Sequence, residues 1–143
     1  MPAKLVHFLI VEDDNDHAEL MRLALAENQV VNTIDRVKDG AQALDYLRRA
    51  GPYAECRRPD VVLLDLGMPN VDGHQVLQAI KQDADLRTIP VVVITTSEME
   101  RDRSRAYDAH ANSYVVKPID FGRFHQMIRD LHLYWTVWNE PPA

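Results

Sequence analysis

The segment Val61-Val62-Leu63-Leu64-Asp65-Leu66-Gly67-Met68-Pro69 is an apolar run, one carboxylate and a turn signal, in that order. A short continuous apolar run bounded by turn residues reads as a strand buried on both faces. Such a strand delivers Asp65 to its own C-terminal end, where a sheet opens to solvent. Three other runs end in the same way. Leu9-Ile10-Val11 leads into Glu12-Asp13-Asp14, Val91-Val92-Val93-Ile94 into Thr95-Thr96-Ser97, and Tyr114-Val115-Val116 into Lys117-Pro118. Acids, a carboxylate, hydroxyls and an ammonium thus close successive strands.

Between these runs lie segments with helical spacing. Leu5–Glu12 reads as the first strand, and Asn15 or Asp16 can cap a helix carrying Ala18, Met21 and Leu25. Val30–Val37 reads as a weaker strand near a sheet edge, with Asn32 and Asp35 interrupting it. Asp39-Gly40 opens a helix through Ala43, Leu44 and Leu47, which Gly51-Pro52 stops. A long loop, Gly51–Pro59, precedes the Asp65 strand. Asp72-Gly73 opens a helix through Val76, Leu77 and Ile80, and Ile89–Thr95 is a strand. Glu98–Ala109 is a polar helix with few apolar anchors, Ser113–Lys117 a strand, and Asp120 caps a helix bearing Phe121, Phe124, Met127, Ile128 and Leu131.

Five strands alternating with five helices predict an α/β fold, a doubly wound parallel sheet covered on both faces, in the order 2-1-3-4-5. Ligands of such sheets bind outside the carboxyl ends of the strands, at the switch point between strands one and three. Glu12, Asp13, Asp65, Thr95 and Lys117 all fall on that edge.

Composition narrows the class. The 143 residues suit one domain, here residues 1–134, followed by a tail over 135–143 with no output domain expected. A net charge of −6 argues against nucleic acid as a partner. No apolar run approaches the ~18 residues of a membrane span. Cys56 is the single cysteine, so no internal disulfide is possible and a cytoplasmic protein is expected.

Clustered carboxylates repel one another, and a cation relieves the repulsion. Hard oxygen donors favour Mg²⁺. Asp13 and Asp65 are the expected direct ligands, Glu12 acts through water, and the Gly67 carbonyl completes the protein's share. Asp14 is expected to point away. A carboxylate is also a nucleophile toward phosphorus, and Asp65 lies between the metal side and the lysine side. Lys117 can neutralise a phosphoryl group; at an effective dielectric near ~20, a pair at ~4 Å is worth about 4 kcal/mol before desolvation. Thr95, with Thr96 beside it, can donate a hydroxyl. Each piece alone has an ordinary explanation as a turn, a strand or a surface residue. What orders them is their shared edge.

At these residues the chain resembles a two-component response regulator receiver domain. The resemblance covers about Leu5 to Leu133, through Leu9-Ile10-Val11-Glu12-Asp13-Asp14, Leu63-Leu64-Asp65-Leu66-Gly67-Met68-Pro69 with Asp72-Gly73, Ile94-Thr95-Thr96, and Tyr114-Val115-Val116-Lys117-Pro118. It implies phosphorylation of Asp65 by a histidine kinase, with Mg²⁺ at Glu12, Asp13 and Gly67. It also implies Thr95 and Tyr114 as a switch pair, Lys117 as phosphate contact, and a cis peptide before Pro118. Within the family the chain resembles the phytochrome-associated, single-domain regulators, through the loop at Gly51-Pro52-Tyr53, Asp85–Pro90, Ala111–Tyr114 and the tail Tyr134–Pro142. That likeness implies a bacteriophytochrome as kinase. Ile119 and Gly67 depart from the family's common residues, and Gly67 and Ser97 flank the acyl phosphate.

With no output domain expected, the signal would leave through a changed surface on the fourth helix, fifth strand and fifth helix. Arg101, Arg103 and Arg105 alternate there with Glu98, Glu100, Asp102 and Asp108, which suits either a solvated face or a homodimer contact. Tyr134, Trp135 and Trp138 add aromatic surface, or pack back on their own domain. The histidines show no metal-ligand pattern and read as surface or core fillers. One alternative is a receiver fold that is never phosphorylated and binds a partner constitutively. A hydrolase of the Asp-x-Asp type is disfavoured by Gly67, and a nucleotide fold by the lack of a Gly-rich loop after the first strand.

Overall fold

The computed structural model describes residues 6–27, 32–68 and 71–140. Leu5, Val30, Val31, Pro69 and the Pro141-Pro142-Ala143 terminus lie outside them. The elements, in order, are β1 (Val6–Val11), α1 (Asn15–Glu27), β2 (Asn32–Val37), α2 (Gly40–Arg48), β3 (Val61–Leu64), α3 (Gly73–Gln82), β4 (Val91–Thr95), α4 (Glu100–Asp108), β5 (Ser113–Val116) and α5 (Phe121–Leu133). The five strands form one parallel sheet in the order β2-β1-β3-β4-β5. The predicted architecture is the observed one.

Alternation along each strand builds two cores. Leu9, Val11, Val62, Leu64, Val91 and Val93 face α2, α3 and α4, where Leu47, Leu77 and Ile80 meet them. Phe8, Ile10, Leu63, Val92 and Ile94 face the other way, onto Met21, Leu25, Phe124 and Ile128 of α1 and α5. A strand apolar on both faces can only sit inside a sheet covered by two layers of helices. Fully burying each such side chain contributes about 1.5–3 kcal/mol.

The ladder runs one residue beyond the strands, and this fixes the functional edge. Asp65 N–H donates to the Val11 carbonyl at 3.0 Å, Glu12 N–H to Val37 at 3.2 Å, and Lys117 N–H to Thr95 at 2.7 Å. Each strand-end residue is therefore held by its neighbour's backbone rather than by a free loop.

Several boundaries differ from the sequence reading. α1 is capped by Asp14, whose carboxylate accepts from the N–H groups of Asp16 (2.9 Å) and His17 (3.0 Å). Asp14 lies first after the strand's last bend, so it outcompetes Asn15 and Asp16 for the exposed amides. α2 ends earlier than expected, at Arg49, which adopts the left-handed region (φ 56°) and closes the helix. β4 starts at Val91 because Pro90 has no N–H to give. α4 begins at Glu100, and Ala106 is its one buried residue. The peptide before Pro118 is trans, as are all peptide bonds among the described residues. This corrects the cis expectation: trans is the favoured X–Pro form by about 0.5–1 kcal/mol, and Lys117 reaches its partners from it. Beyond α5, Tyr134–Trp138 continues as a π-helical turn that buries Trp135 among Phe8, Met21 and Ile128. Trp135 therefore belongs to the core, while Tyr134 and Trp138 are exposed at 50% and 76%.

α3 abuts the Asp65 turn. A Cβ at Gly73 would stand 2.2 Å from the Asp65 carbonyl oxygen and 2.5 Å from Leu66 Cα, both backbone atoms that cannot yield cheaply. Overpacking of this kind costs about 1–3 kcal/mol or more. Gly73→Ala should therefore lower the unfolding free energy from urea titration by that amount, read as a lower midpoint at unchanged m-value, whereas Gly67→Ala, whose Cβ would have nothing within 4 Å among the described residues, should leave that free energy within about 0.5 kcal/mol of the parent.

Candidate functional site

The ends of β1 and β3 are neighbours, so Glu12, Asp13 and Asp65 come together. One ligand oxygen of each lies within 4.8 Å of the others. Glu12 is wholly buried, Asp65 is 9% exposed, and Asp13 faces solvent. From the far side of the sheet edge Lys117, itself buried, bonds Glu12 Oε1 and stands 3.7 Å from Asp65 Oδ2. A carboxylate pair and an ammonium thus share one buried corner. Asp65 is further oriented by the turn after it, since Gly67 N–H donates to Oδ1 at 3.3 Å.

Glu12 shows what this crowding does. Burial first, then the hydrogen bond and charge of Asp65, push its carboxyl up to about 8, against the pull of Lys117. Its second oxygen, Oε2, is buried with no hydrogen-bond partner among the described residues. A buried acceptor left bare costs about 1–3 kcal/mol, and a cation among the three acids would satisfy it. The donor set is all oxygen with two buried carboxylates, which suits a hard divalent ion. Glu12, Asp13 and Asp65 are the residues to hold it, with the exposed Gly67 beside them.

The hydroxyl strand end is also in place. Thr95 is buried, and its Oγ1 accepts from Ser97 N–H at 3.3 Å. Thr96 is exposed. It lines a cleft of about 540 Å³ with His17, Lys117, Ile119, Phe121 and Phe124, which opens beside the acids. Tyr114 is half-buried, and its hydroxyl donates to the Ser97 carbonyl at 3.0 Å. Burial raises the Tyr114 phenol above its ordinary range, so the hydroxyl stays a donor. Of the residues predicted for a surface, Arg101 and Arg105 are exposed on α4. Trp135 is not at the surface, because its ring fills the α1–α5 core.

Two members of the site were not foreseen. Arg36 on β2 donates from Nε (3.0 Å) and Nη2 (2.8 Å) to the Glu12 carbonyl, locking the backbone that carries the acids. His17, in the first turn of α1, accepts from Lys117 Nζ at 3.0 Å through Nδ1 and lies 3.5 Å from Glu12 Oε1. Its ring also meets Phe124 of α5. The reading of the histidines as fillers is thus corrected for His17, and for His74, which bonds Asp102 at 3.2 Å. His125 contacts Glu27 across α1 and α5. For His17 a signal existed: three residues past the Asp14 cap, a side chain stands over the helix entry and so over the site.

Comparison with known proteins agrees with this geometry. Residues 8–129 match the response regulator receiver domain. The probable methanogenesis regulatory protein FilR2 of Methanothrix harundinacea is 44% identical over 135 residues, 94% of this chain and 86% of that protein. Response regulator Rcp1 of Synechocystis sp. is 35% identical over 142 residues, 99% of this chain and 95% of that protein. The Mn²⁺-bound form of Rcp1 superposes with a TM-score of 0.93 at 34% identity, covering 96% of this chain and 99% of that one. The phosphorylated cyanobacterial phytochrome response regulator RcpA superposes with a TM-score of 0.95 at 37% identity, covering 98% and 100% of the two chains. On the match over most of its length, and with the acids, hydroxyl and lysine gathered at one sheet edge, this chain belongs to the response regulator receiver domain family.

Proposed function

We propose that Asp65 accepts a phosphoryl group from the phosphohistidine of a histidine kinase, a bacteriophytochrome in particular, and that the phosphorylated chain signals through an altered surface. The observation that carries this is Asp65 Oδ2 at 3.7 Å from Lys117 Nζ, beside the buried Glu12 and the exposed Asp13. In the transfer, an Asp65 oxygen forms the new bond to phosphorus while the bond from phosphorus to the donor nitrogen breaks. The electron pair stays on the imidazole, which then takes up a proton. The chain is a phosphoacceptor and not an enzyme in the ordinary sense. The relatives named for phytochromes, RcpA among them, support the photosensor as donor.

Catalysis here is positioning and charge neutralisation. Lys117 is placed to follow the charge from the Asp65 carboxylate to the phosphoryl oxygens. Glu12, Asp13 and Asp65 with the Gly67 carbonyl would hold Mg²⁺, which would supply the remaining positive charge. Thr95 donates its hydroxyl to a phosphoryl oxygen, drawing the loop at Thr96 and Ser97 with it. Tyr114 then loses its present acceptor, the Ser97 carbonyl, and turns inward. The output is a changed face on α4, β5 and α5. Arg101 and Arg105 with the exposed Tyr134 and Trp138 make it suitable for a homodimer. Trp135, buried in the core between α1 and α5, is not part of that exposed surface. Among the described residues no helix is long and apolar enough to cross a membrane, and the free Cys56 fits a reducing cytoplasm.

Incubation with radiolabelled acetyl phosphate and Mg²⁺ should label the chain, and Asp65→Asn should abolish the label; label persisting in Asp65→Asn would place the acceptor elsewhere. Metal binding gives an independent check. An occupied site requires ionised Glu12, whose carboxyl is held up to about 8. Below that pH the site must release a proton to bind metal, so affinity rises with pH. Calorimetric titration of Mg²⁺ should show affinity approaching a tenfold gain per pH unit between about pH 6 and 7.5, levelling above about 8. A flat profile would show that Glu12 is already ionised.

A further inference from the structure

α3 and α4 meet at a polar contact that the reaction itself does not need. Ser97, in the loop after β4, donates its hydroxyl to Asp102 Oδ2 at 2.6 Å. It also accepts from Met99 N–H at 3.2 Å, so the loop and the first turn of α4 are tied into one piece. The other oxygen of Asp102, Oδ1, accepts from His74 Nε2 on α3 at 3.2 Å. The Ser97 hydroxyl first, and His74 after it, hold the Asp102 carboxyl below the usual carboxylate range.

The two sides of this contact differ in how firmly they are held. α3 is anchored: Gly73 sits against the Asp65 backbone, Asp72 and Gln75 form a capping box, and Val76, Leu77 and Ile80 are fully buried. α4 buries only Ala106. His74 is 8% exposed, and its Nδ1 is buried without a hydrogen-bond partner among the described residues. Since Asp102 only accepts, Nε2 carries a ring proton, and Nδ1 is a buried polar atom without a hydrogen bond. An apolar side chain would pack there without that cost. The bond to Asp102 is what the imidazole adds.

We infer that His74 is a positioning residue: through Asp102 and Ser97 it latches α4 to α3 and holds the loop after β4 away from the phosphorylated position. The inference rests on Asp65 being the phosphoacceptor. If Thr95 moves toward Asp65, Ser97 and the start of α4 move with it, while His74 stays on the fixed helix. The Asp102–His74 bond is then the contact that breaks. A bond present in only one of two states biases the equilibrium by its full differential free energy. Phosphorylation must overcome the latch, and a chain lacking it should populate the competent arrangement more often.

The test compares the full-length chain with His74→Ala, His74→Gln and Asp102→Ala. Glutamine can present an amide donor where Nε2 stands, so it should keep the latch. Two readouts are taken: the initial rate of labelling by acetyl phosphate with Mg²⁺, and amide hydrogen exchange of residues 100–108 before phosphorylation. For His74→Ala and Asp102→Ala the labelling rate should rise about fivefold to tenfold, the size expected of one charge-assisted hydrogen bond at a partly exposed site. Exchange over residues 100–108 should quicken while that of residues 76–80 does not, and His74→Gln should resemble the parent in both. Should His74→Ala fail to fold, Asp102→Ala, at the surface end of the same contact, carries the test. Parent-like labelling and exchange in folded His74→Ala and Asp102→Ala would overturn the latch while leaving the phosphoacceptor reading intact. Absence of label in the parent would instead remove that reading, and the exchange comparison would still decide whether His74 holds α4.

Discussion

Two carboxylates buried side by side are unfavourable unless a cation stands with them, and much of this structure is the means of supplying one. Glu12 is wholly buried against Asp65, and Lys117 is brought to both from more than 50 residues further along the chain. Removing one partner of such a cluster typically costs 3–5 kcal/mol, because the remaining charge is left buried. The parallel sheet is what makes the meeting possible. Its order places β1 beside β3, and β4 beside β3, so residues far apart in sequence end at one edge. The ladder bonds at Glu12, Asp65 and Lys117 then fix their backbones. Even so the cluster is not fully satisfied. Glu12 Oε2 has no hydrogen-bond partner among the described residues, which leaves an acceptor that a metal ion would satisfy.

That residual tension links fold to chemistry. Lys117 now spends its hydrogen bonds on Glu12 and His17 and only approaches Asp65. A phosphoryl group on Asp65 would offer it more negative charge there. Glu12, Asp13 and Asp65 would hold a metal ion there, which would supply the positive charge that Glu12 now takes from Lys117. The hydroxyl of Thr95 and the chain Ser97–Asp102–His74 continue the same logic outward, from a charge change at one carboxylate to a helix with a single buried residue.

The fold was legible because its signals are local. Leu63 and Leu64 are apolar on opposite faces, which only a doubly covered sheet accommodates, and the four strand-end motifs fell in the order that a single edge requires. The acids, Thr95 and Lys117 were legible for the same reason. What escaped the sequence depends on tertiary contact. Arg36 reaches the Glu12 carbonyl from an edge strand, and nothing in the residues around it marks that destination. His17 acquires its role from Lys117, a residue 100 positions away. The cap fell to Asp14 because the strand's final bend decides which carboxylate meets the free amides. Trp135 was open to two readings on aromatic character alone, and burial among Phe8, Met21 and Ile128 resolved it. The Lys117–Pro118 bond is trans here, although the family resemblance implied cis.

The most direct measurement is a crystal structure of the chain with Mg²⁺ and beryllofluoride, a stand-in for the phosphoryl group. Beryllofluoride should be bonded to an Asp65 oxygen, Mg²⁺ should lie among Asp65, Asp13 and the Gly67 carbonyl, and Lys117 should have moved from Glu12 onto a fluoride. Beryllofluoride elsewhere, or Lys117 still bound to Glu12 and His17 with Asp65 unmodified, would contradict Asp65 as the phosphoacceptor.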